Sequence, residues 1–179
     1  MPEKFKIENG VLVEYNGNDE KVYIPNGVTE IGEEVFMRHE EIVKVTLPES
    51  IRVIGARAFA FCWNMISAWI PKEAHLQRIE QEAFCACYEL EKIYLPQGLK
   101  KIDNLAFLKC FKLSSVFIPD SIEQFGSQAF AECTARAKFN ERWYTLDGIS
   151  NPREYADLID AIGRTAEILI YEPQLLTNE

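Results

Sequence analysis

The hydrophobic and polar positions of this chain recur with a period of 23 residues, interrupted once by an excess of two. Around five phenylalanines the same columns return: a Val or Ala directly before the Phe, and a Cys or His three residues after it. The phenylalanines are Phe36, Phe59, Phe84, Phe107 and Phe130, and the prolines Pro25, Pro48, Pro71, Pro96 and Pro119 follow the same period. Because one such unit cannot bury its apolar columns alone, the pattern predicts a stack of repeats with a continuous core.

Each unit predicts a short strand followed by a turn. In Ile93-x-Leu95-Pro96 the two aliphatic residues alternate with period two, which places both on one face of a strand. Pro96 ends that strand because proline cannot donate to a ladder. Residues 102–110 carry apolar side chains at irregular helical spacing, which predicts a turn of α-helix or 3₁₀-helix on the opposite side. We expect five repeats over residues 22–141, where the pattern decays.

The last 38 residues depart from the repeat and predict a C-terminal cap over residues 142–179. Asn151-Pro152 fits a helix start, and the apolar stripe that follows predicts a helix over about residues 152–162. A short apolar run then predicts a buried strand over about residues 167–171. Because an open solenoid end exposes its core, we expect this segment to cover the last repeat.

The repeat resembles that of a known family. The pattern Leu-x-x-Ile-x-Leu-Pro…Ile-Gly-x-x-Ala-Phe-x-x-Cys, clearest in residues 51–71, is similar to the leucine-rich repeats of BspA-type bacterial surface proteins. The resemblance covers about residues 22–141. Residues 1–21 resemble the hairpin cap that often precedes such repeats, with turns at Asn9-Gly10 and Asn16-Gly17. The resemblance implies a curved leucine-rich-repeat solenoid with a parallel β-sheet on its concave face, used for binding or adhesion.

Composition narrows the class of protein without changing this fold. The chain has 179 residues, of which 47% are hydrophobic, enough for one globular domain. Its formal charge of -9 argues against direct binding to nucleic acid, which needs a surplus of Lys and Arg. No apolar run is long enough for membrane insertion, and no signal peptide is evident. We expect a cytoplasmic protein as the sequence stands, and a cell-surface or secreted one if an export signal has been removed.

The titratable and nucleophilic residues form no catalytic pattern, so we expect neither an enzyme nor a cofactor nor a metal site. Four cysteines recur once per repeat, and a linear ladder does not give zinc its tetrahedral ligands. We interpret them as a buried column of small apolar thiols. They are Cys62, Cys87, Cys110 and Cys133. His39 replaces cysteine in the first repeat and His75 lies in the two-residue insertion, and we expect both to be structural or exposed.

Large aromatic side chains occupy two series of variable positions, and these are the candidate binding residues. The first series lies between the two inward strand residues and must point out of the sheet, whereas the second follows the cysteine column by one position. The first is Tyr23, Trp69, Tyr94 and Phe117, with Thr46 in the second place, and the second is Trp63, Tyr88 and Phe111. Exposed aromatics in register form an apolar patch that usually marks a binding site. Alternatively, aromatics simply suit strand surfaces through cross-strand stacking.

Three functions are compatible with this pattern. The first is a non-enzymatic module that binds another protein on the concave sheet, with Trp69, Tyr94 and Phe117 as anchors and the other four aromatics around them. The second is adhesion to carbohydrate at the cell surface, since aromatic faces stack on sugars. The third is a small acidic inhibitor of a basic, nucleic-acid-processing protein. Residues 22–141 carry 13 basic and 16 acidic side chains, so the charge lies mostly at the two ends and the third function is the least favoured.

Overall fold

The computed structural model describes residues 3–116, 118–119, 121–134, 136–139 and 142–145. Its regular structure consists of short strands. They are β1 Phe5–Glu8, β2 Val11–Tyr15, β3 Lys21–Tyr23, β4 Glu30–Ile31, β5 Lys44–Thr46, β6 Val53–Ile54, β7 Ser67–Trp69, β8 Arg78–Ile79, β9 Lys92–Ile93, β10 Lys101–Ile102, β11 Ser115–Val116, β12 Gln124–Phe125, β13 Arg136–Phe139 and β14 Arg142–Thr145.

Successive repeats wind around the core as coils, and each coil gives one strand to each of two sheets. The front sheet has the order β14-β13-β11-β9-β7-β5-β3, and the back sheet has the order β1-β2-β4-β6-β8-β10-β12. Strands one repeat apart pair in parallel and keep their register. In the front sheet, for example, Lys44 lies beside Ser67 and Thr46 beside Trp69. This stack of about five parallel coils confirms the predicted solenoid.

The predicted helical turns are wrong, because no α-helix or 3₁₀-helix occurs in the described part of the chain. The back of each coil is instead a two-residue strand followed by an irregular turn. That turn holds two non-glycine residues with positive φ, one two positions before the repeat phenylalanine and one two positions after it. In the second coil they are Arg57 at 52° and Phe61 at 62°. Two left-handed residues in one turn are incompatible with a right-handed helix.

Hydrogen bonds between coils hold these turns together in place of helical ones. Three backbone N–H groups of each turn donate to three carbonyls of the next coil. From the second coil to the third, Arg57, Phe59 and Phe61 donate to Gln81, Ala83 and Cys85 at 2.8 to 2.9 Å. The same set recurs at all the interfaces between the five described turns, always in the same direction along the stack.

The repeat phenylalanines form a ladder of stacked rings inside the coils. Consecutive ring centroids are 4.8 to 5.2 Å apart, with interplanar angles of 3° to 8°. Thiols line this ladder. The Sγ of Cys87 donates to the carbonyl of Phe59 in the preceding coil at 3.2 Å, and Cys62, Cys110 and Cys133 make the same bond to the phenylalanine one coil before them. The predicted buried thiol column is therefore confirmed, and each thiol also bonds a backbone acceptor.

The N-terminal end is a hairpin in which β1 pairs with β2 in antiparallel fashion around Asn9 and Gly10. Both residues have positive φ, 51° and 82°, as a type I′ turn requires. Asn16-Gly17 is not a second hairpin turn, because it leads from β2 in the back sheet to β3 in the front sheet. A Cβ on Gly17 would lie 2.4 Å from the phenol oxygen of Tyr15, so only glycine fits this corner without moving the ring.

At the C-terminal end, the front sheet finishes with the antiparallel pair β13 and β14. The predicted cap helix over residues 152–162 and the predicted strand over residues 167–171 lie outside the described residues. Within those that are described, no helix long and apolar enough to cross a membrane is found.

Candidate functional site

The front sheet presents alternate residues to the core and to solvent. In β3, Val22 is buried while Lys21 and Tyr23 are exposed, and in β7, Ala68 is buried while Trp69 is exposed. This is the period-two alternation expected of a half-buried strand. We call the outward side of the front sheet the front face.

The first aromatic series forms a row across the front face. Tyr23 pairs in register with Thr46, and Thr46 pairs with Trp69, so neighbouring positions are about 4.8 Å apart along the stack. The residues directly before Trp69 and Tyr94 pair with each other, which gives Tyr94 the next place in the row. Tyr23 is 65% exposed and Trp69 is 40% exposed, whereas Tyr94 is half-buried.

The far end of this row lies beside the two-residue insertion. Burial, with a smaller contribution from the Glu73 carboxylate, raises the pKa of Tyr94 above its usual value. The Glu73 carboxylate of the insertion therefore lies close enough to Tyr94 to influence the pKa of its phenol. Phe117, the last predicted member of the series, lies outside the described residues.

The second aromatic series is a stack of rings. The ring centroids of Trp63 and Tyr88 are 6.2 Å apart with an interplanar angle of 3°, and those of Tyr88 and Phe111 are 5.1 Å apart with an angle of 22°. Backbone bonds of 3.2 Å hold this register, from the Glu89 N–H to the Trp63 carbonyl and from the Lys112 N–H to the Tyr88 carbonyl. Because Trp63 and Phe111 are also exposed, the series is a contiguous apolar surface.

A row of lysines, which the sequence analysis missed, runs parallel to the first aromatic row. Lys21 pairs with Lys44, Lys44 with Ser67, and Ser67 with Lys92. All three lysines are exposed, and none of them forms a salt bridge to a described residue. The available signal was the same period of two: each lysine stands two positions before an outward-pointing residue of the aromatic row.

The insertion also forms one wall of a cleft of about 600 Å³ at the corner after the front strands. His75 and Arg52 line this cleft, and the backbone N–H of His75 donates to the Glu49 carbonyl at 3.1 Å. The one serine in the lining, Ser50, donates its hydroxyl to the Val28 carbonyl at 2.7 Å. The serine is thus bonded to the backbone and is not oriented by the imidazole as a nucleophile would be.

The remaining histidine and the thiols have structural surroundings. His39 Nδ1 lies 2.6 Å from the Glu41 carboxylate, and its ring meets Tyr15 edge-on. Burial raises the pKa of the Cys62 thiol to about 12 and raises that of Cys87 well above its usual value, so neither is a thiolate at neutral pH. No group of His, Cys, Asp and Glu side chains suited to a metal ion occurs among the residues described.

Comparison with known sequences identifies the repeat. The BspA type leucine rich repeat region matches residues 7–136 in six copies, where the period alone predicts five over residues 22–141. The match begins inside the N-terminal hairpin, whose second strand, β2, pairs in parallel with β4 of the first coil. A search of curated proteins finds no significant match.

Solved structures of bacterial repeat proteins share the fold. A leucine rich repeat protein of T. pallidum is 32% identical, with a TM-score of 0.64 over 69% of this chain and 60% of its own. A leucine rich cell surface protein of Faecalibacterium prausnitzii is 28% identical, with a TM-score of 0.63 over 69% of this chain and 33% of its own. A leucine-rich repeat protein of Bacteroides ovatus is 28% identical, with a TM-score of 0.59 over 71% of this chain and 36% of its own.

The chain thus spans between one third and three fifths of the length of these three proteins. With its period, its stacked parallel coils and a family match over residues 7–136, the chain belongs to the BspA-type leucine-rich-repeat family.

Proposed function

We propose that this chain is a non-enzymatic module that binds another protein on its front face. The observation that carries the proposal is the exposed first aromatic row, in which Tyr23 and Trp69 stand out of a sheet whose alternate residues are buried. Trp69, Tyr94 and, by its place in the period, Phe117 are the anchors of this surface. Tyr23, Trp63, Tyr88 and Phe111 surround them.

Aromatic anchors suit this task energetically. Tyr and Trp are enriched among interface residues whose truncation costs about 2 kcal/mol or more, because each buries a large apolar area with few rotamers to immobilise. Short parallel strands fix the backbone under the anchors, so little ordering is needed on binding. Ile66, which is 38% exposed and three residues from both Trp63 and Trp69, adds apolar surface to the same repeat.

The family favours the same function and a location outside the cell. Leucine-rich-repeat solenoids typically serve as binding scaffolds, and one structural neighbour is named a cell surface protein. We therefore propose that this chain acts at the bacterial surface as part of a protein contact.

The other two functions receive less support from the geometry. A sugar ring stacks on an open aromatic face, but Tyr88 has Trp63 on one side and Phe111 on the other. An inhibitor of a basic protein needs an acidic surface, but the front face carries three lysines that have no carboxylate partner among the described residues. Protein binding through apolar anchors requires neither feature.

A capture experiment with matched variants tests the proposal. Immobilised wild type, the variant Trp69→Ser/Tyr94→Ser, and the control variant Ile7→Ser/Val13→Ser are exposed to an extract of the host, and bound proteins are quantified by mass spectrometry. The control removes two apolar side chains of similar exposure, 41% and 38%, from the hairpin. We expect a set of proteins captured by wild type and control and lost with the front-face variant, which should remain folded by circular dichroism with a modest loss of thermal stability because Tyr94 is half-buried. If the front-face variant retains the whole set, the proposal is wrong.

A further inference from the structure

The front face carries two parallel rows of different chemistry. The lysine row consists of Lys21, Lys44 and Lys92, with Ser67 between the last two, and the first aromatic row lies two residues further along the same strands. Neighbouring strands lie about 4.8 Å apart, so the three lysines span about 14 Å along the stack. Two residues of a strand cover roughly 6.7 Å, which is the distance between the rows.

We propose that the front face binds an extended segment of a partner protein in which acidic and apolar residues alternate. This inference rests on the proposed function and adds the chemistry of the partner. The segment runs along the stack, across the strands, between the two rows. Its carboxylates pair with the lysine row, and its apolar side chains lie on the first aromatic row.

The dimensions of an extended chain fit this arrangement. Side chains at i, i+2 and i+4 point to one side and span about 13 Å, close to the roughly 14 Å between Lys21 and Lys92. Side chains at i+1 and i+3 point to the other side, where Trp69 and Tyr94 stand. One strand-like segment therefore reaches both rows without turning.

The charges favour an acidic occupant over a neutral one. The chain has 28 acidic and 19 basic residues, and eight basic side chains elsewhere in its described part form salt bridges. The three front-face lysines form no salt bridge to a described residue, although the exposed glutamates Glu20 and Glu91 directly precede two of them in the chain. At about 0.15 M salt, charges more than roughly 8 Å away are largely screened, so a bound segment experiences these lysines more than the net charge of -9.

A synthetic peptide tests the inference without knowledge of the natural partner. The probe is a fluorescein-labelled peptide of about ten residues in which Glu and Leu alternate, long enough to span both rows. A matched peptide has Gln in place of Glu. Binding is measured by fluorescence anisotropy at about 0.15 M salt.

Three protein variants separate the contributions of the rows. Lys21→Gln/Lys44→Gln/Lys92→Gln removes the lysine row, and Trp69→Ser/Tyr94→Ser removes the aromatic anchors. The control Lys6→Gln/Lys100→Gln/Lys109→Gln makes the same change of charge away from the front face. The lysines are exposed or partly exposed, as is Trp69, whereas Tyr94 is half-buried, and circular dichroism verifies that each variant has the wild-type fold.

We expect wild type and the control to bind the Glu peptide equally, and the lysine-row variant to bind it about tenfold more weakly, since each exposed ion pair contributes about two- to threefold. Wild type should bind the Gln peptide about tenfold more weakly as well. Equal binding of the Glu peptide by wild type and the lysine-row variant, or no preference for Glu over Gln, would overturn the inference. If only Trp69→Ser/Tyr94→Ser then loses binding, the proposed function stands and the acidic partner alone is rejected.

Discussion

The phenylalanine ladder predicts a stability effect that aliphatic packing does not explain. Phe84 is fully buried, and its ring stacks on Phe59 and on Phe107, both with centroids 5.2 Å away. Phe84→Leu keeps an apolar side chain of similar size and removes both ring contacts. Aromatic pairs contribute about 0.5–1.5 kcal/mol each beyond burial, so we expect the loss of both contacts to lower the unfolding free energy by roughly 1–3 kcal/mol.

A second variant in the same coil isolates the contribution of the rings. Leu90 is also fully buried, and Leu90→Met conserves volume, so its cost should stay below about 1.5 kcal/mol. Both variants are unfolded in urea and followed by circular dichroism. Their unfolding free energies are compared only if these depend on urea concentration with the same slope, because a stack of coils can unfold without full cooperativity. If Phe84→Leu costs no more than Leu90→Met, ring stacking adds nothing to ordinary packing and the reasoning fails.

Two further predictions concern the thiols and the glycines. Because burial raises the pKa of Cys62 to about 12 from 9.0, the unfolded chain loses a proton above pH 9 that the folded chain keeps. The contribution of this thiol to the unfolding free energy is therefore fully present below that pH and falls by about 1.4 kcal/mol per pH unit as the pH rises. Urea unfolding of wild type and of Cys62→Ala, repeated across this pH range, should differ by this slope. Gly126→Ala should cost about 2–3 kcal/mol in thermal unfolding, because the added Cβ would lie 2.2 Å from the backbone nitrogen of Asn104. A Cβ on Gly98 would meet no atom within 4 Å, but the φ of this residue is +103°, so for Gly98→Ala we expect only backbone strain of about 1 kcal/mol. If the two glycine variants lose the same stability, the clash at Gly126 is not the cause of its loss.

The strands of the front sheet could be predicted because their residues follow both the repeat period of 23 residues and the strand period of two. Val45 and Ala68 recur one repeat apart and alternate with exposed or partly exposed neighbours, so both their burial and their register follow from the sequence. The turns could not be predicted in the same way. Arg57 and Leu105 adopt the left-handed conformation that usually marks glycine, and the coil-to-coil bonds that support it are not visible in local sequence.

The two aromatic series of the candidate site differ in the same way. Period two indicates that Trp69 points outward, and the structure agrees. The direction of Trp63 and Tyr88 was not fixed by any period, because they follow a turn, and their stacking depends on bonds between coils. The lysine row obeys the same period of two, but Lys44 and Lys92 resemble ordinary charges on a strand surface until their register is known.

The one-way hydrogen bonds around the repeat phenylalanines give this column of turns an electrical polarity. Around each of the first four repeat phenylalanines the three N–H groups donate toward the C-terminal end, so their peptide dipoles add as they do in an α-helix. The bonds of the back strands, such as that from Gly126 to Ile102, run the other way and do not add to this column. The C-terminal end of this column of turns therefore carries partial positive charge, and its N-terminal end carries partial negative charge. Residues 146–179, which follow that positive end in the chain, contain seven acidic and two basic side chains. The uneven charge along the sequence thus complements the direction of the backbone that precedes it.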